Sequence, residues 1–362
     1  VLSGTPVTGA SVELTIDPKI QKVAWDALGN LEGAVVAVEP STGRILALVS
    51  KPGFDANQLS VHDGTQANLN YTELLGTKGD PLVNKAISGD LYAPGSVFKL
   101  ITSAAALESG DWTAESTLPN PVKYTLPGTN TQIQNSGEGK CGGKTTVSIS
   151  DALRFSCNIP FAQLGIKLGQ DRIRTQAELF GFGKSVKIPL SVTPSIYPDN
   201  MDDAQVGLSS FGQFDDRVTP LQIVMVSMAI ANKGVLMQPN LVENVLSPSL
   251  AVIDQPQPKV FAQPISESTA TALKEMMVGA VSRGVSSNAQ IKGVDVAGKT
   301  GTAQNGKDDP YTLWFTGFAP ADNPKVAVAV VVAKGGGQGQ AGRGNTLAAP
   351  IARKVMEAVL NK

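Results

Sequence analysis

The chain has 362 residues, of which 42% are hydrophobic and 17% charged, a composition typical of a globular protein with one large domain or a few smaller ones. Its formal net charge of −1 and its pI near 6.0 argue against nucleic-acid binding. No apolar run approaches the roughly 18 residues that cross a membrane, and Val1 does not begin a signal peptide.

The first elements predicted along the chain are a polar lead-in and one helix. Residues 1–12 are interpreted as the end of an upstream, non-catalytic region. Asp17 and Pro18 fit the N-cap and the first position of a helix, which ends at residues 29–30 (Gly-Asn). The missing initiator Met suggests a fragment or a processed chain, with any membrane anchor upstream.

A β-hairpin follows this helix. Residues 33–38 and 44–50 are apolar enough to form strands, and the turn residues 39–43 join them. Residues 51–90 are polar and rich in Gly and Asn, which predicts a long loop region that carries function.

Residues 93–110 predict a buried helix with an unusual first turn. Pro94 and Gly95 break the preceding element, and the helix that follows is apolar nearly all round, as expected inside a domain. Ser96 and Lys99 are three residues apart, so their side chains point the same way.

Lys99 is in a position that disfavours a positive charge. It faces the positive end of the helix dipole, and burial adds a desolvation cost. A lysine has an ordinary pKa of about 10.4, so a neutral amine at pH 7 costs roughly 4 to 5 kcal/mol unless the surroundings lower the pKa. The neutral amine would be a base for the Ser96 hydroxyl. The alternative is a capping serine followed by a lysine that reaches solvent.

The remaining elements predict a helical region and then more strands. They are a turn-rich segment with short strands (111–147), two helical pieces meeting at 156–160 (148–168), two further helices (219–234 and 266–282), three strands (294–303, 313–319 and 326–333), a flexible loop (335–344) and a closing helix (350–360). Two early strands, three late ones and helices between them predict an α+β fold. We expect a mostly antiparallel five-stranded sheet, flanked by helices, with an inserted all-helical lobe.

The single histidine and the two cysteines restrict the possible chemistry. One imidazole, His62, does not suffice for a zinc site of the usual composition, and a Ser-His-Asp triad would have to use it. Cys141 and Cys157 could form a disulfide that closes a loop of about 16 residues. Such a bridge would stabilise the fold by about 3 kcal/mol in the chain-entropy model. The alternative is two free thiols.

Three short motifs occur in order: S-x-x-K at Ser96 and Lys99, S-x-N at Ser156 and Asn158, and K-T-G at 299–301. Taken alone, the S-x-N motif could be a polar corner between helices, and the K-T-G motif could be an edge strand that ends at a glycine bulge. Together they form the known signature of penicillin-binding proteins and class A β-lactamases.

The chain resembles the transpeptidase domain of class B penicillin-binding proteins over nearly its whole length. The stretches that carry the resemblance are 14–17 (LTID), 33–36 (GAVV), 40–47 (PSTGRILA), 94–96 (PGS), 219–222 (TPLQ) and 299–303 (KTGTA). The resemblance implies a transpeptidase domain over 13–362, with its sheet from 33–50 and 294–333 and its helical lobe at about 96–290.

The resemblance also implies roles for the motif residues. Ser96 would attack the penultimate D-Ala carbonyl of a stem peptide, or a β-lactam ring, and Lys99 would take its proton. The backbone N–H groups of Ser96 and Thr302 would form the oxyanion hole. Ser156 would relay a proton between Lys99 and Lys299, and Asn158 would orient Lys99.

The substrate's terminal carboxylate would bind to Lys299, Thr300 and Thr302, beside Gly301. No metal or organic cofactor is needed, because the base and the electrophile are both protein groups. A Cys141–Cys157 disulfide that fixes the second motif is a hypothesis.

Three other activities fit the same motifs. A class A β-lactamase needs an E-x-x-x-N loop, but between Asn158 and Arg217 the only glutamate is Glu178, which lacks the Asn. A D,D-carboxypeptidase differs only in using water as the acceptor. A β-lactam sensor or inactive scaffold would need no turnover, and no motif residue is missing here.

The expected function is therefore that of a peptidoglycan D,D-transpeptidase that cross-links stem peptides ending in D-Ala-D-Ala. β-Lactams would inhibit it by acylating Ser96. The expected partners are stem peptides, β-lactams and proteins of cell-wall synthesis, with no nucleic acid. The resemblance places the domain on the extracytoplasmic face of the cell membrane, held by an upstream anchor.

Overall fold

A computed structural model describes residues 9–137 and 139–361. The strands are β1 (Ser11–Leu14), β2 (Gly33–Val38), β3 (Ile45–Lys51), β4 (Thr117–Pro119), β5 (Lys123–Thr125), β6 (Gln132–Gln134), β7 (Thr146–Ser148), β8 (Leu236–Met237), β9 (Val242–Leu246), β10 (Val252–Asp254), β11 (Val260–Ala262), β12 (Ala297–Ala303), β13 (Thr312–Ala319) and β14 (Val326–Val332). The helices are α1 (Pro18–Leu28), α2 (Gly64–Leu75), α3 (Lys99–Glu108), α4 (Ile149–Arg154), α5 (Ile159–Leu168), α6 (Gln170–Leu179), α7 (Asp203–Ser209), α8 (Pro220–Ala231), α9 (Glu267–Arg283) and α10 (Gly344–Leu360).

The main sheet has five strands in the order β12-β13-β14-β2-β3, and every neighbouring pair is antiparallel. Strands β2 and β14 are apolar without alternation because both faces of the sheet are covered. Along β2, Ala34, Val36 and Val38 join one hydrophobic core, whereas Val35 and Ala37 join the other. The predicted α+β class and five-stranded antiparallel sheet are confirmed.

The two faces of the sheet carry different helices. Helices α1 and α10 cover one face, and α3, α5 and α8 contribute to the core on the other. Every residue of α8 is buried, as its almost wholly apolar sequence predicts for a helix at the centre of a lobe. The K-T-G strand β12 is the edge strand beside this lobe.

Several predicted elements are confirmed. Asp17 caps α1 by accepting from the backbone N–H groups of Lys19 and Ile20. The hairpin β2–β3 forms as predicted, and α4 and α5 meet at the corner that holds the second motif.

Two predictions on local structure are wrong. Residues 51–90 are not wholly loop, because they contain α2, none of whose residues is buried, so the sequence shows no clear apolar face there. The closing helix begins at Gly344, and Pro350 lies inside it instead of at its start. Helices α6 and α7 and strands β8–β11 were not predicted. The lobe at about 96–290 is also not all-helical as expected, because the short strands β4–β11 lie within that range.

Two further observations concern the ends of the chain and the membrane. Of the predicted lead-in at 1–12, residues 1–8 lie outside the described residues, and Ser11 and Val12 pair with β9. Of the helices within 9–137 and 139–361, none has the length and apolarity needed to cross a membrane.

Candidate active site

Ser96 lies in a short 3₁₀ turn, Gly95–Val97, that leads into α3. The alternative interpretation, in which Ser96 is a side-chain cap, is wrong, since Phe98 is the N-cap and makes no side-chain cap hydrogen bond. The turn still places Ser96 just before Lys99, which is the first residue of α3. Ser96 is partly exposed, whereas Lys99 is fully buried.

The Lys99 amine is held by the second motif. Its Nζ donates to Ser156 O at 2.8 Å and to Asn158 Oδ1 at 2.9 Å, and lies 3.5 Å from Ser156 Oγ. All these partners are uncharged. Burial, and secondly the charge of Lys299, lower the pKa of Lys99 well below its ordinary value.

Lys299 approaches the same serine from β12. Its Nζ donates to Ser156 Oγ at 2.7 Å and to Thr300 O at 2.8 Å. Its side chain is fully buried, and this burial lowers its pKa to about 7. The Lys299 amine is therefore poised to gain or lose a proton near neutral pH.

Ser156 is the residue that joins the two lysines. It adopts a left-handed backbone conformation, with φ of 59°, at the corner between α4 and α5. A hydroxyl has one proton and two lone pairs, so Ser156 can accept from Lys299 and donate to Lys99 when Lys99 is neutral. The arrangement forms a proton path between two amines.

Buried asparagines hold this corner in place. Asn135 Oδ1 accepts from the backbone N–H groups of Asn158 at 2.9 Å and Ile159 at 3.1 Å. Asn135 Nδ2 donates to Asn120 Oδ1 at 2.9 Å, and Asn120 Nδ2 donates to Cys141 O at 2.7 Å. Sequence reasoning missed both asparagines, because nothing distinguishes them from the other polar residues of 111–147.

The two cysteines fix the same corner covalently. Cys141 and Cys157 form a disulfide with their Cα atoms 5.6 Å apart. Cys157 lies between Ser156 and Asn158, so the bridge is attached directly to the second motif. The bridge and the asparagines restrain the same few residues.

The turn that carries Ser96 is supported by a segment after α7. Gly95 N donates to Gly212 O at 2.8 Å, and Thr102 Oγ1 donates to Ser210 O at 2.7 Å. Both glycines have positive φ, 54° for Gly95 and 78° for Gly212. A Cβ at Gly212 would clash with the backbone of Gly95. Sequence reasoning missed this contact.

A buried acid lies further along this segment. The Asp216 carboxylate accepts from Ser209 Oγ at 2.5 Å, and burial raises the pKa of Asp216 well above its ordinary value. The Tyr197 ring stacks on Phe98, with ring centroids 5.7 Å apart. This cluster borders the helix that begins at Lys99, and the three motifs gave no indication of it.

The K-T-G strand lies against the Ser96 turn. A Cβ at Gly301 would be 3.0 Å from Pro94 O and 3.2 Å from a methyl of Val97, so glycine permits the close approach. The Gly95 Cβ position would likewise lie 3.0 Å from Ala303 N. The two segments that contain the Ser96 and Thr302 N–H groups are therefore neighbours.

The two threonines of this strand differ in accessibility. Thr300 is 7% exposed, and its hydroxyl lies 3.2 Å from Ser286 Oγ. Thr302 is partly exposed, and its Oγ1 accepts from Gly344 N at 3.4 Å. A ligand could reach Thr302 directly, whereas Thr300 would first have to leave Ser286.

Ser96 and Lys99 are not hydrogen-bonded to each other in this state. Across the described ranges, Ser96 Oγ has no hydrogen-bond partner, while the Lys99 amine is held by the second motif. Catalytic hydrogen bonds often tighten only when substrate is bound. Chemically, the site combines an accessible hydroxyl, a buried amine whose pKa is lowered and a second buried amine that could face an anionic group.

Comparisons with known proteins agree with this geometry. The family model described as "Penicillin binding protein transpeptidase domain" matches residues 33–357. The chain is 41% identical to peptidoglycan D,D-transpeptidase PbpA of Mycolicibacterium smegmatis, over 99% of this chain and 74% of the relative. It is 31% identical to stage V sporulation protein D of Bacillus subtilis, over 97% of this chain and 53% of that protein.

A solved structure has the same fold over nearly the whole chain. The ceftriaxone acyl-enzyme complex of penicillin-binding protein A from M. tuberculosis superimposes with a TM-score of 0.94. It shares 41% sequence identity, and the match covers 99% of this chain and 82% of that one.

The contact between Gly212 and Gly95 can be tested by Gly212→Ala. The added methyl group must displace the Ser96 turn, in addition to the strain of an alanine at positive φ. We expect the free energy of unfolding, measured with urea, to fall by about 2 to 5 kcal/mol.

Gly183→Ala is the matched control, because Gly183 has φ of 71° and open space around its Cβ position. It should lose only about 1 kcal/mol. Equal losses in the two variants would show that the close approach of the two glycines does not matter.

Proposed function

The chain belongs to the penicillin-binding protein transpeptidase family, and from this premise we propose that it is a peptidoglycan D,D-transpeptidase with Ser96 as its nucleophile. The family predicted from the three motifs is thereby confirmed. The observation that carries the proposal is the buried chain Lys99–Ser156–Lys299, which gives a neutral base next to a serine turn.

Acylation follows from these positions. The Ser96 oxygen attacks the carbonyl of the penultimate D-Ala while Lys99 Nζ takes the hydroxyl proton. The tetrahedral oxyanion is stabilised by the N–H groups of Ser96 and Thr302. The proton passes from Lys99 through Ser156 to the departing amine. The peptide bond breaks, terminal D-Ala leaves, and an ester on Ser96 remains.

Deacylation reverses the proton path. The side-chain amine of a neighbouring stem attacks the ester carbonyl and loses its proton to the same base. A new peptide bond forms, and Ser96 recovers its hydroxyl proton. Each half-reaction therefore uses Lys99 once as an acceptor and once as a donor of the same proton.

Substrate binding would change the protonation of the two lysines. A terminal carboxylate beside Lys299 favours its charged form and raises a pKa that lies at about 7 in the free protein. The resulting cation then disfavours a second charge on Lys99. The donor's carboxylate thus helps to keep Lys99 neutral. Because Thr302 is the accessible threonine, we assign it the carboxylate contact in preference to Thr300.

A stable acyl-enzyme is expected with β-lactams. The only glutamate between Asn158 and Arg217 is Glu178, which is exposed on α6. The stretch between the second and third motifs up to Arg217 therefore offers no E-x-x-x-N glutamate to activate a deacylating water as in class A β-lactamases. D,D-carboxypeptidation is the second candidate function, because it needs the same acyl-enzyme and differs only in the acceptor.

The setting of the domain is also a proposal. Stem peptides lie outside the cytoplasmic membrane, and the Cys141–Cys157 disulfide suits an oxidising compartment. We therefore place the domain on the extracytoplasmic face. We assign residues 13–362 to the transpeptidase domain and expect it to work with other proteins of cell-wall synthesis.

Ser96→Ala tests the nucleophile. After incubation with penicillin, intact-mass spectrometry should show one covalent adduct on the wild type and none on this variant. Ser103→Ala is the control, because Ser103 lies on the same helix with its hydroxyl buried and unpaired among the described residues. An adduct on Ser96→Ala would contradict the assignment.

Lys299→Met tests the coupling between the two lysines. Removing a nearby cation raises the pKa of Lys99, so the base is neutral only at higher pH. The acidic limb of the acylation rate against pH should move to higher pH, and the rate at pH 7 should fall about 10-fold or more.

The matched control for this experiment is Lys85→Met, which changes a buried lysine outside the site. Its acidic limb should coincide with that of the wild type. A limb that does not move in Lys299→Met would rule out the proposed coupling.

A further inference from the structure

A groove of about 460 Å³ opens beside α5, apart from the three motifs. One wall is the face of α5 that carries Gln163, Ile166 and Lys167. The opposite wall comes from β4, from Tyr124 on β5 and from Trp112, which follows α3. None of the groove residues has a part in the mechanism described above.

The groove is close to the second motif along α5. This helix begins at Ile159, directly after Asn158, and Gln163 and Lys167 follow five and nine residues after that asparagine. A helix rises 1.5 Å per residue, so these side chains start about 8 and 13 Å along the axis from Asn158.

The β5–β6 hairpin also links the groove to the site. Tyr124 adjoins Lys123, which pairs across the hairpin with Gln134. The carbonyl of Gln134 accepts from Asn158 Nδ2 at 3.0 Å. Both connections therefore place the groove roughly 10 to 15 Å from the second motif.

The aromatic walls leave ring surface available. Trp112 and Tyr124 are partly exposed, and in the described part of the chain neither ring stacks on another aromatic ring. Flat, partly exposed rings that line a groove suit ligands that have an apolar face and polar edges. A pyranose ring has this combination.

Gln163 supplies a polar group to the lining of the groove. It is only 8% exposed, and its Nε2 donates to Pro119 O at 3.2 Å. Its Oε1 receives no hydrogen bond from any described residue. This acceptor is open to a ligand in the groove, and a sugar hydroxyl or acetamido N–H would provide a donor for it. Lys167 adds an exposed cation at the rim.

We infer that this groove binds the saccharide of the substrate's glycan strand, an oligosaccharide of β-1,4-linked N-acetylhexosamines. The inference rests on the proposed function, since it takes peptidoglycan as the substrate. The four stem residues between the glycan and the scissile carbonyl span at most about 14 Å when extended. This length matches the roughly 10 to 15 Å between the groove and the second motif, and the backbone of that motif contacts Lys99 in the Ser96 segment.

The test is binding of N,N′,N″-triacetylchitotriose to the whole chain, measured by calorimetry. The wild type should bind the trisaccharide, and Trp112→Ala and Tyr124→Ala should each weaken binding at least 10-fold. Trp25→Ala and Tyr71→Ala are the matched controls, because both rings are exposed elsewhere, 42% and 47% respectively. Their binding should equal that of the wild type.

Penicillin acylation of every variant is measured in parallel and should stay at the wild-type rate, which also shows that each variant is folded. If Trp112→Ala does not fold, Tyr124→Ala gives the result.

Three outcomes would overturn the inference. They are no binding to the wild type, equal binding to the groove variants, and binding of a sugar-free stem peptide that Trp112→Ala weakens as strongly. Trisaccharide binding without penicillin acylation would instead refute the proposed function. The groove would then remain a site for N-acetylhexosamines, without the assignment to the glycan of a cross-linking substrate.

Discussion

The site depends on two buried lysines that share one serine hydroxyl. Lys99 and Lys299 are both fully buried, and Ser156 Oγ lies 3.5 Å from one amine and 2.7 Å from the other. Two ammonium groups cannot be kept so close in an apolar interior without a large cost, so at least one amine gives up its proton. The basicity that the mechanism needs is thus a consequence of packing.

Much of the surrounding fold serves to keep these three groups together. The Ser156 corner is restrained by the Cys141–Cys157 disulfide and by Asn135, which accepts from two consecutive N–H groups. Gly95 and Gly212 are in close contact, which lets the Ser96 turn lie against the lobe. Gly301 lets the K-T-G strand lie against the other side of the same turn. These contacts hold the Ser96 turn, the Ser156 corner and the K-T-G strand against one another.

The motif residues were predictable because their chemistry is local. Ser96 and Lys99 are three residues apart, and Ser156 and Asn158 are two residues apart. Each pair can therefore be recognised from a short stretch of sequence. The supports were not predictable, since Gly95 meets Gly212 and Asn135 meets Asn158 only through tertiary packing. Helix α2 was missed for a different reason: none of its residues is buried, so its sequence has no clear apolar face.

The most direct test of this account is a pH titration of the lysine side chains by NMR, with Lys99→Met and Lys299→Met to assign the two signals. The account predicts that both amines titrate below the ordinary 10.5, with Lys299 at about 7. Two lysines that both titrate near 10.5 would contradict it, because no neutral base would then be present at neutral pH.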